Sequence, residues 1–324
     1  MNHAVNEINK LQENQREIVK EFCSTQFELK ELKRDILNSK FLEKFDINDI
    51  VHNRIINTDD DNNYRSISIT EQEKIIKRII SRNFIISLQQ FCFWIPNGIQ
   101  MDYNMRHKLN SSDLDSLIYY NIDSDEDFYN SIYAVITSFV TLRKERLELL
   151  IESMKFDISI NNVENLLMHF YNNKLFLHDF FKKKKEYFIM SIYRYVKYSN
   201  TFRNYNTQFN ELSKLCCNPC IDYQIPKMLE VEYGLFSYLG EKNANIQRLN
   251  DKIEKEELFI QDSPEQVSYR SLSYAMMLLI EEIINDEYPN IKVNQEELDT
   301  LLFEKRNDYK SRDAKFHLCL TTQY

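Results

Sequence analysis

Ser263-Pro264-Glu265-Gln266-Val267-Ser268-Tyr269-Arg270-Ser271-Leu272-Ser273-Tyr274-Ala275-Met276-Met277-Leu278-Leu279-Ile280-Glu281-Glu282-Ile283-Ile284-Asn285 is the stretch that decides the fold. Ser263 fits an N-cap, Pro264 the first helical position, and Gln266 the residue that closes a capping box. The helix they start is predicted to run to about Asn285 and to bury Val267, Leu272, Met276, Leu279 and Ile283. The same periodicity recurs on either side. Val5 to Leu37 reads as one helix with Ile8, Leu11, Ile18, Val19, Phe22, Leu29, Leu32 and Ile36 apolar. Thr70-Glu71-Gln72-Glu73 resembles a capping box opening a helix toward Leu88. Asp125 to Met154, Asn161 to Phe181, Tyr187 to Tyr198 and Asn294 to Glu304 complete the helical pattern.

Between these runs lie the breaks. Asn57 to Asn63 is a polar loop, Ile95-Pro96-Asn97-Gly98 a turn, and residues 99–124 a loop with short helices. Lys182 to Lys185 reads as a solvated turn. The 324 residues include only 3 Gly and 5 Pro, too few for a fold built on hairpins. With no internal repeat and no convincing linker, the expectation is a mostly α protein, one multi-helix domain over residues 1–324.

Composition narrows the function classes. Hydrophobic residues are 43%, with 21 Phe and 20 Tyr, enough for a real core. A net charge of −9 argues against binding a polymeric nucleic-acid backbone, although a single nucleotide in a pocket is compatible with it. The polar N-terminus through Arg16 is unlike a secretory signal, and there is no long uncharged apolar run. The 6 Cys show no secreted-type framework. A cytoplasmic monomer without membrane attachment is expected. Neither a Gly-x-Gly-x-x-Gly, a P-loop nor a Gly-x-Ser-x-Gly elbow is present, so dinucleotide, triphosphate and elbow-serine chemistry lack support.

Five groups of residues could carry chemistry. In Cys220-Ile221-Asp222-Tyr223-Gln224-Ile225-Pro226, one carboxylate sits among apolar neighbours. Pro226 is expected to push Ile225 toward extended geometry and stiffen the connection. Asp222 is then either a cap for the helix beginning near Pro226 or an aimed carboxylate suited to the positive charge of glycosidic bond cleavage. Cys216-Cys217-Asn218-Pro219-Cys220 holds one Cys-x-x-Cys pair with no second pair nearby, so buried thiols are preferred to a metal site. His169 and His178 lack metal-ligand spacing, and His178 with Asp179 reads as a surface pair. Phe93-Trp94 is either core or a platform for a planar base. Asp299 and Phe303 share a helix face with Glu304 at its edge, an arrangement that an ordinary amphipathic helix also gives.

Taken in order, several segments resemble the queuosine salvage family, the queuosine 5′-phosphate N-glycosylase/hydrolases. Asp222-Tyr223-Gln224-Ile225-Pro226-Lys227 is similar to the motif around the family's catalytic carboxylate, Asp-Tyr-Arg-aliphatic-Pro-Gln. Gly234-Leu235-Phe236-Ser237-Tyr238 resembles the next segment, and Gln266-Val267-Ser268-Tyr269-Arg270 keeps the arginine of a third. Leu298-Asp299-Thr300-Leu301-Leu302-Phe303-Glu304 resembles a Leu-Asp-x-x-x-Trp-Asp type segment. Phe316-His317, Tyr324 and Gln90-Phe91-Cys92-Phe93-Trp94 match the remaining two. The resemblance covers residues 220–324 and 88–94; residues 1–50 form a divergent helical segment. Residues 99–120 lack the family's Gly-rich segment. Its Lys-Arg-Ala-Gln motif is absent near 185–200, where Arg194 and Lys197 lie. Cys220 replaces an aromatic, and Phe303-Glu304 replaces Trp-Asp.

The resemblance implies a fold like the helical DNA glycosylases and hydrolysis of queuosine 5′-monophosphate to release queuine, without metal or organic cofactor. It implies Asp222 at the anomeric carbon as nucleophile, electrostatic stabiliser or base for water. Asp299 and Glu304 would meet the cationic amine and diol of queuine. Phe303, Phe93 and Trp94 would supply stacking surface, and His52, Cys220 and Tyr223 further contacts. Arg270 would meet the 5′-phosphate or brace Asp222 through a structural ion pair. The alternatives are a non-catalytic relative that binds the base or nucleotide, and a helical interaction protein.

Overall fold

Ser263 opens the longest described helix as its sequence predicts. In the computed structural model its Oγ accepts from the Gln266 N–H at 3.2 Å, and the helix runs Pro264–Glu287 with proline at its start. The reciprocal half of the box is made otherwise, since the Ser263 N–H donates to the Ile260 carbonyl at 3.1 Å. The structure describes residues 1–59, 68, 70, 73, 74, 76–78, 80, 163–172, 181, 183–198, 211–260, 262–305, 314, 315 and 317–319.

Of these residues 76% are helical, so the protein is mostly α. In chain order the described helices are α1 (Asn2–Ser24), α2 (Leu29–Asn38), α3 (Phe41–Lys44), α4 (Ile47–Asp59), α5 (Val163–Asn172) and α6 (Lys183–Tyr198). A 3-10 turn (Glu211–Lys214) leads to α7 (Gln224–Tyr233), α8 (Leu235–Gly240), α9 (Ala244–Glu254), α10 (Pro264–Glu287) and α11 (Gln295–Lys305). Strands β1 (Leu258–Phe259) and β2 (Leu318–Cys319) pair in parallel, Phe259 opposite Cys319. No described helix is long and apolar enough to cross a membrane.

Helix α10 is the axis of the core. Leu272, Met276, Met277, Ile280, Ile283 and Ile284 are buried on it, and so are Gln266, Arg270, Ser271 and Ser273. A helix covered on all sides has no solvent for its polar side chains, which must find partners inside. Ser273 Oγ does so by donating back to the Tyr269 carbonyl at 2.8 Å. Helices α1, α2, α7, α9 and α11 pack around it. Gly234 ends α7 with φ 66°, a left-handed turn that glycine adopts without strain, and its N–H satisfies the Glu230 carbonyl at 2.7 Å.

Three expectations are corrected. Val5 to Leu37 is two helices, with a break at residues 25–28. There Phe27 turns into the core and the Ser268 hydroxyl donates to Gln26 Oε1. The buried face of α1 includes Gln12 and Gln15, while Leu11 and Ile18 are partly exposed. Lys185 is no solvated turn residue: it lies in the first turn of α6, buried, with Nζ 4.9 Å from the centre of the Tyr171 ring. Ile225 is helical, not extended. Pro226 falls in the first turn of α7, where the missing N–H has no intrahelical acceptor to lose. The expected helices over Thr70–Leu88 and Asp125–Met154, the Ile95–Gly98 turn and the 99–124 loop lie wholly or mostly outside the described residues.

Candidate active site

The chain reaches Asp222 along an irregular segment after the 3-10 turn. Asp222 is half-buried, and its Oδ1 accepts from the Gln224 N–H at 2.7 Å. The side chain therefore caps α7. Arg270, one turn into the buried part of α10, lies beside this segment. Its Nη2 donates to the carbonyl of Ile221 at 2.7 Å, and its guanidinium stands 4.3 Å from the centre of the Phe181 ring. Through Nη2, Arg270 thus holds the backbone just before Asp222.

His317 closes this end of the site. Its ring packs 5.0 Å from that of Tyr269 and 5.9 Å from that of Phe259, which the β1–β2 pairing holds in place. Burial, reinforced by the Arg270 cation and partly opposed by Asp222, pushes its pKa down to about 3. His317 is thus a neutral imidazole at physiological pH.

The second group sits on α11. Asn294 and Glu297 cap it reciprocally: Asn294 Oδ1 accepts from the Glu297 N–H at 3.1 Å, and Glu297 Oε2 from the Asn294 N–H at 3.2 Å. Arg194 on α6 holds the first two turns, donating from Nε to Glu296 Oε1 at 2.5 Å and from Nη2 to Thr300 Oγ1. Burial opposes the Arg194 charge, but Glu296 and Asp299 more than offset that, so its pKa lies above the ordinary value.

Helices α7 and α11 pack against each other, and at their C-terminal ends Lys305 reaches Glu232 at 4.0 Å; Lys305 also reaches Asp49 of α4 at 3.2 Å. At 1.5 Å per residue, the Asp222 and Glu232 ends of α7 are about 15 Å apart. The predicted residues therefore form two groups along one pair of helices. Asp222 and Arg270 lie at the first end, and Asp299 is half-buried on α11 one turn before Phe303. Phe303 and Glu304 mark the other end: Phe303 is 44% exposed, and Glu304 Oε2 accepts from Asn53 Nδ2 of α4 at 2.7 Å. His52 is exposed beside Asn53.

Cys220 and Tyr223 are buried, and Tyr223 belongs to the hydrophobic core. Cys217 and Cys220 are buried free thiols. Phe93, Trp94, Phe316 and Tyr324, together with His178 and Asp179, lie outside the described residues. Sequence reasoning gave no site role to His317, Phe181 or Arg194. His317 carried a signal in Phe316-His317, and Arg194 in its position where a basic motif was expected. Phe181 carried none. A cleft of about 320 Å³ lies elsewhere, between α1, α2 and α10, lined by Arg16, Lys20, Leu278, Glu281, Asn285 and Asp286 among others; no predicted site residue lines it.

No family model, no curated protein and no solved structure matches this chain.

Proposed function

We propose that the protein hydrolyses the N-glycosidic bond of queuosine 5′-monophosphate and releases queuine. The observation that carries the reading is Asp222: a carboxylate fixed by a cap at a helix N-terminus, backed by the Arg270 brace on Ile221. Cleavage at a sugar carbon develops positive charge there, and a held carboxylate stabilises it without reorganising. Water supplies hydroxyl to the anomeric carbon and the proton that the departing base takes up. A 7-deaza base lacks the ring nitrogen that ordinary purine cleavage protonates, so stabilising the sugar carries more of the barrier. Asp299 and Glu304 meet the cationic amine and diol of the base in this reading, and Phe303 supplies stacking surface. Phe93 and Trp94 add stacking surface in this reading, and His52 a contact at the open end.

The protein acts as a cytoplasmic monomer on a nucleotide, with no polymeric nucleic acid, membrane or cofactor required. The test is incubation of purified protein with queuosine 5′-monophosphate and mass spectrometry for free queuine. No release by wild type, or unchanged release by Asp222→Asn, would sink the reading. Binding without turnover moves the protein to the second reading, a non-catalytic relative. That reading is favoured by Arg194, which stands where a family motif is absent and is engaged by Glu296 and Thr300.

A further inference from the structure

Asn9, Gln12 and Arg16 lie on one face of α1, at helical spacings of three and four. All three reach the same piece of irregular chain. Asn9 Nδ2 donates to the Lys214 carbonyl at 2.8 Å, and its Oδ1 accepts from the Cys216 N–H at 2.6 Å. Asn218 Nδ2 donates to the Gln12 carbonyl at 3.0 Å and to Gln12 Oε1 at 2.6 Å. Arg16 donates from Nε to Asn218 Oδ1 and from Nη2 to the Cys217 carbonyl, each at 2.5 Å. Gln12 and Asn218 are both fully buried.

Residues 215–218 belong to no helix or strand, so their buried backbone groups need partners from elsewhere. The side chains of α1 supply them at 216 and 217, and Asn218 anchors its own side chain there. Four residues later the chain reaches Asp222, and Arg270 holds it from the other side at Ile221. The hydrogen-bond acceptors of the Arg16 guanidinium are neutral, Asn218 Oδ1 and the Cys217 carbonyl, and these bonds hold the loop in place. Its charge also acts on Glu281, with which it lines the 320 Å³ cleft, and on buried Glu186.

We propose that α1 is a clamp on the segment that carries Asp222, with Arg16 as its central positioning residue. The clamp sets where the Asp222 carboxylate points, a role that rests on the glycosidase reading given above. Arg16 touches no substrate in this scheme and acts through Cys217 and Asn218.

Two measurements test it, one independent of activity. Cys217 and Cys220 are buried thiols within the clamped segment, while buried Cys23 reports on α1 and buried Cys319 on β2. Alkylation by iodoacetamide is followed at each cysteine by peptide mass spectrometry. Arg16→Ala should speed labelling of Cys217 and Cys220 about tenfold or more through local opening, with Cys23 and Cys319 unchanged. Millimolar guanidinium, which can enter the cleft, should restore protection. Asn9→Ala, which removes a half-buried side chain, should give a smaller rise at the same two thiols. Unchanged labelling in both variants overturns the clamp. If Arg16→Ala loosens all four cysteines together, Asn9→Ala decides, and a non-selective or absent response there overturns it too.

The second measurement is turnover of queuosine 5′-monophosphate. Arg16→Ala should lower kcat with KM nearly unchanged, and guanidinium should raise kcat again. An unchanged kcat refutes the positioning role even if labelling rises. If wild type has no activity, the glycosidase reading falls, and the thiol measurement still decides the clamp.

Discussion

The two ends of the α7–α11 pair use charge in opposite ways. At the Asp222 end, Arg270 and His317 are each 1% exposed, and their interactions run through protein. At the Phe303 end, Glu304 and His52 are exposed, and Lys305 bridges Asp49 and Glu232 near the surface. Low dielectric strengthens every interaction at the first end and penalises any group left unmatched. Water and salt screen the second. Changes at the buried end should therefore register in chemistry and in folding, whereas changes at the open end should register in ligand binding with the fold left alone.

The sharpest way to break this comparison is Asp222→Asn. Asparagine caps a helix about as well as aspartate, so the fold should keep its stability to within a few tenths of a kcal/mol. If Asp222 stabilises the transition state, queuine release should fall about 10³-fold. Asp222→Ala should show the same loss of turnover and also destabilise by about 1 kcal/mol, because the Gln224 N–H loses its acceptor. Parallel kinetics and urea melts on the two variants separate the cap from the catalyst. A 10³-fold loss in Ala but not Asn would leave Asp222 with the structural role only.

His317 makes the next largest difference, in the response to acid. Its folded pKa is about 3, below the ordinary histidine value of 6.5, so the unfolded chain binds the proton that the folded chain refuses. Between those two values, stability falls as pH falls. The loss attributable to this one group from pH 7 to pH 5 is roughly 2 kcal/mol. The groups that face it are Arg270, which disfavours the imidazolium, and Asp222, which favours it. His317→Gln should reduce the pH 7 to pH 5 drop in the urea midpoint relative to wild type. An undiminished drop would mean that water reaches the imidazole and that this end is not as dry as its burial implies.

The contrast between the ends also marks what sequence could convey. The cap at Ser263, the helix from Pro264 and the helix ending near Glu304 were legible because local patterns encode them: a hydroxyl, a proline, a period of 3.6. Asp222 was legible as a cap for the same reason. The split of the N-terminal helix was not, since Phe27 is drawn into the core by contacts distant in sequence. Nor was the polar buried face of α1. Gln12 is inside because Asn218 meets it there, a pairing across 206 residues that no periodicity contains. Lys185 looked solvated because a run of lysines usually is, and Tyr171 is what receives it. The candidate site follows the same rule: residues on one helix, such as Asp299 and Phe303, could be grouped in advance. That Phe303 and Asp222 occupy opposite ends of a helix pair depended on how α11 lies along α7.

The smallest expected effect on the fold is at Phe303, and it tests the open end directly. Its ring is 44% exposed and leaves little apolar area to lose. Phe303→Ala should therefore change stability by no more than about 0.5 kcal/mol. If the ring stacks on the base of queuosine 5′-monophosphate, the same substitution should weaken binding by about 1–3 kcal/mol, roughly fivefold to 150-fold. Calorimetry on the catalytically silent Asp222→Asn background, with and without Phe303→Ala, reads this without turnover. Phe303→Trp on that background should hold or tighten binding, because a larger ring offers more stacking surface. Equal affinities across Phe, Ala and Trp at this position would remove the open end from the ligand site and leave the exposed ring without a role. A loss confined to Ala would extend the site from the Asp222 carboxylate to the far end of α11.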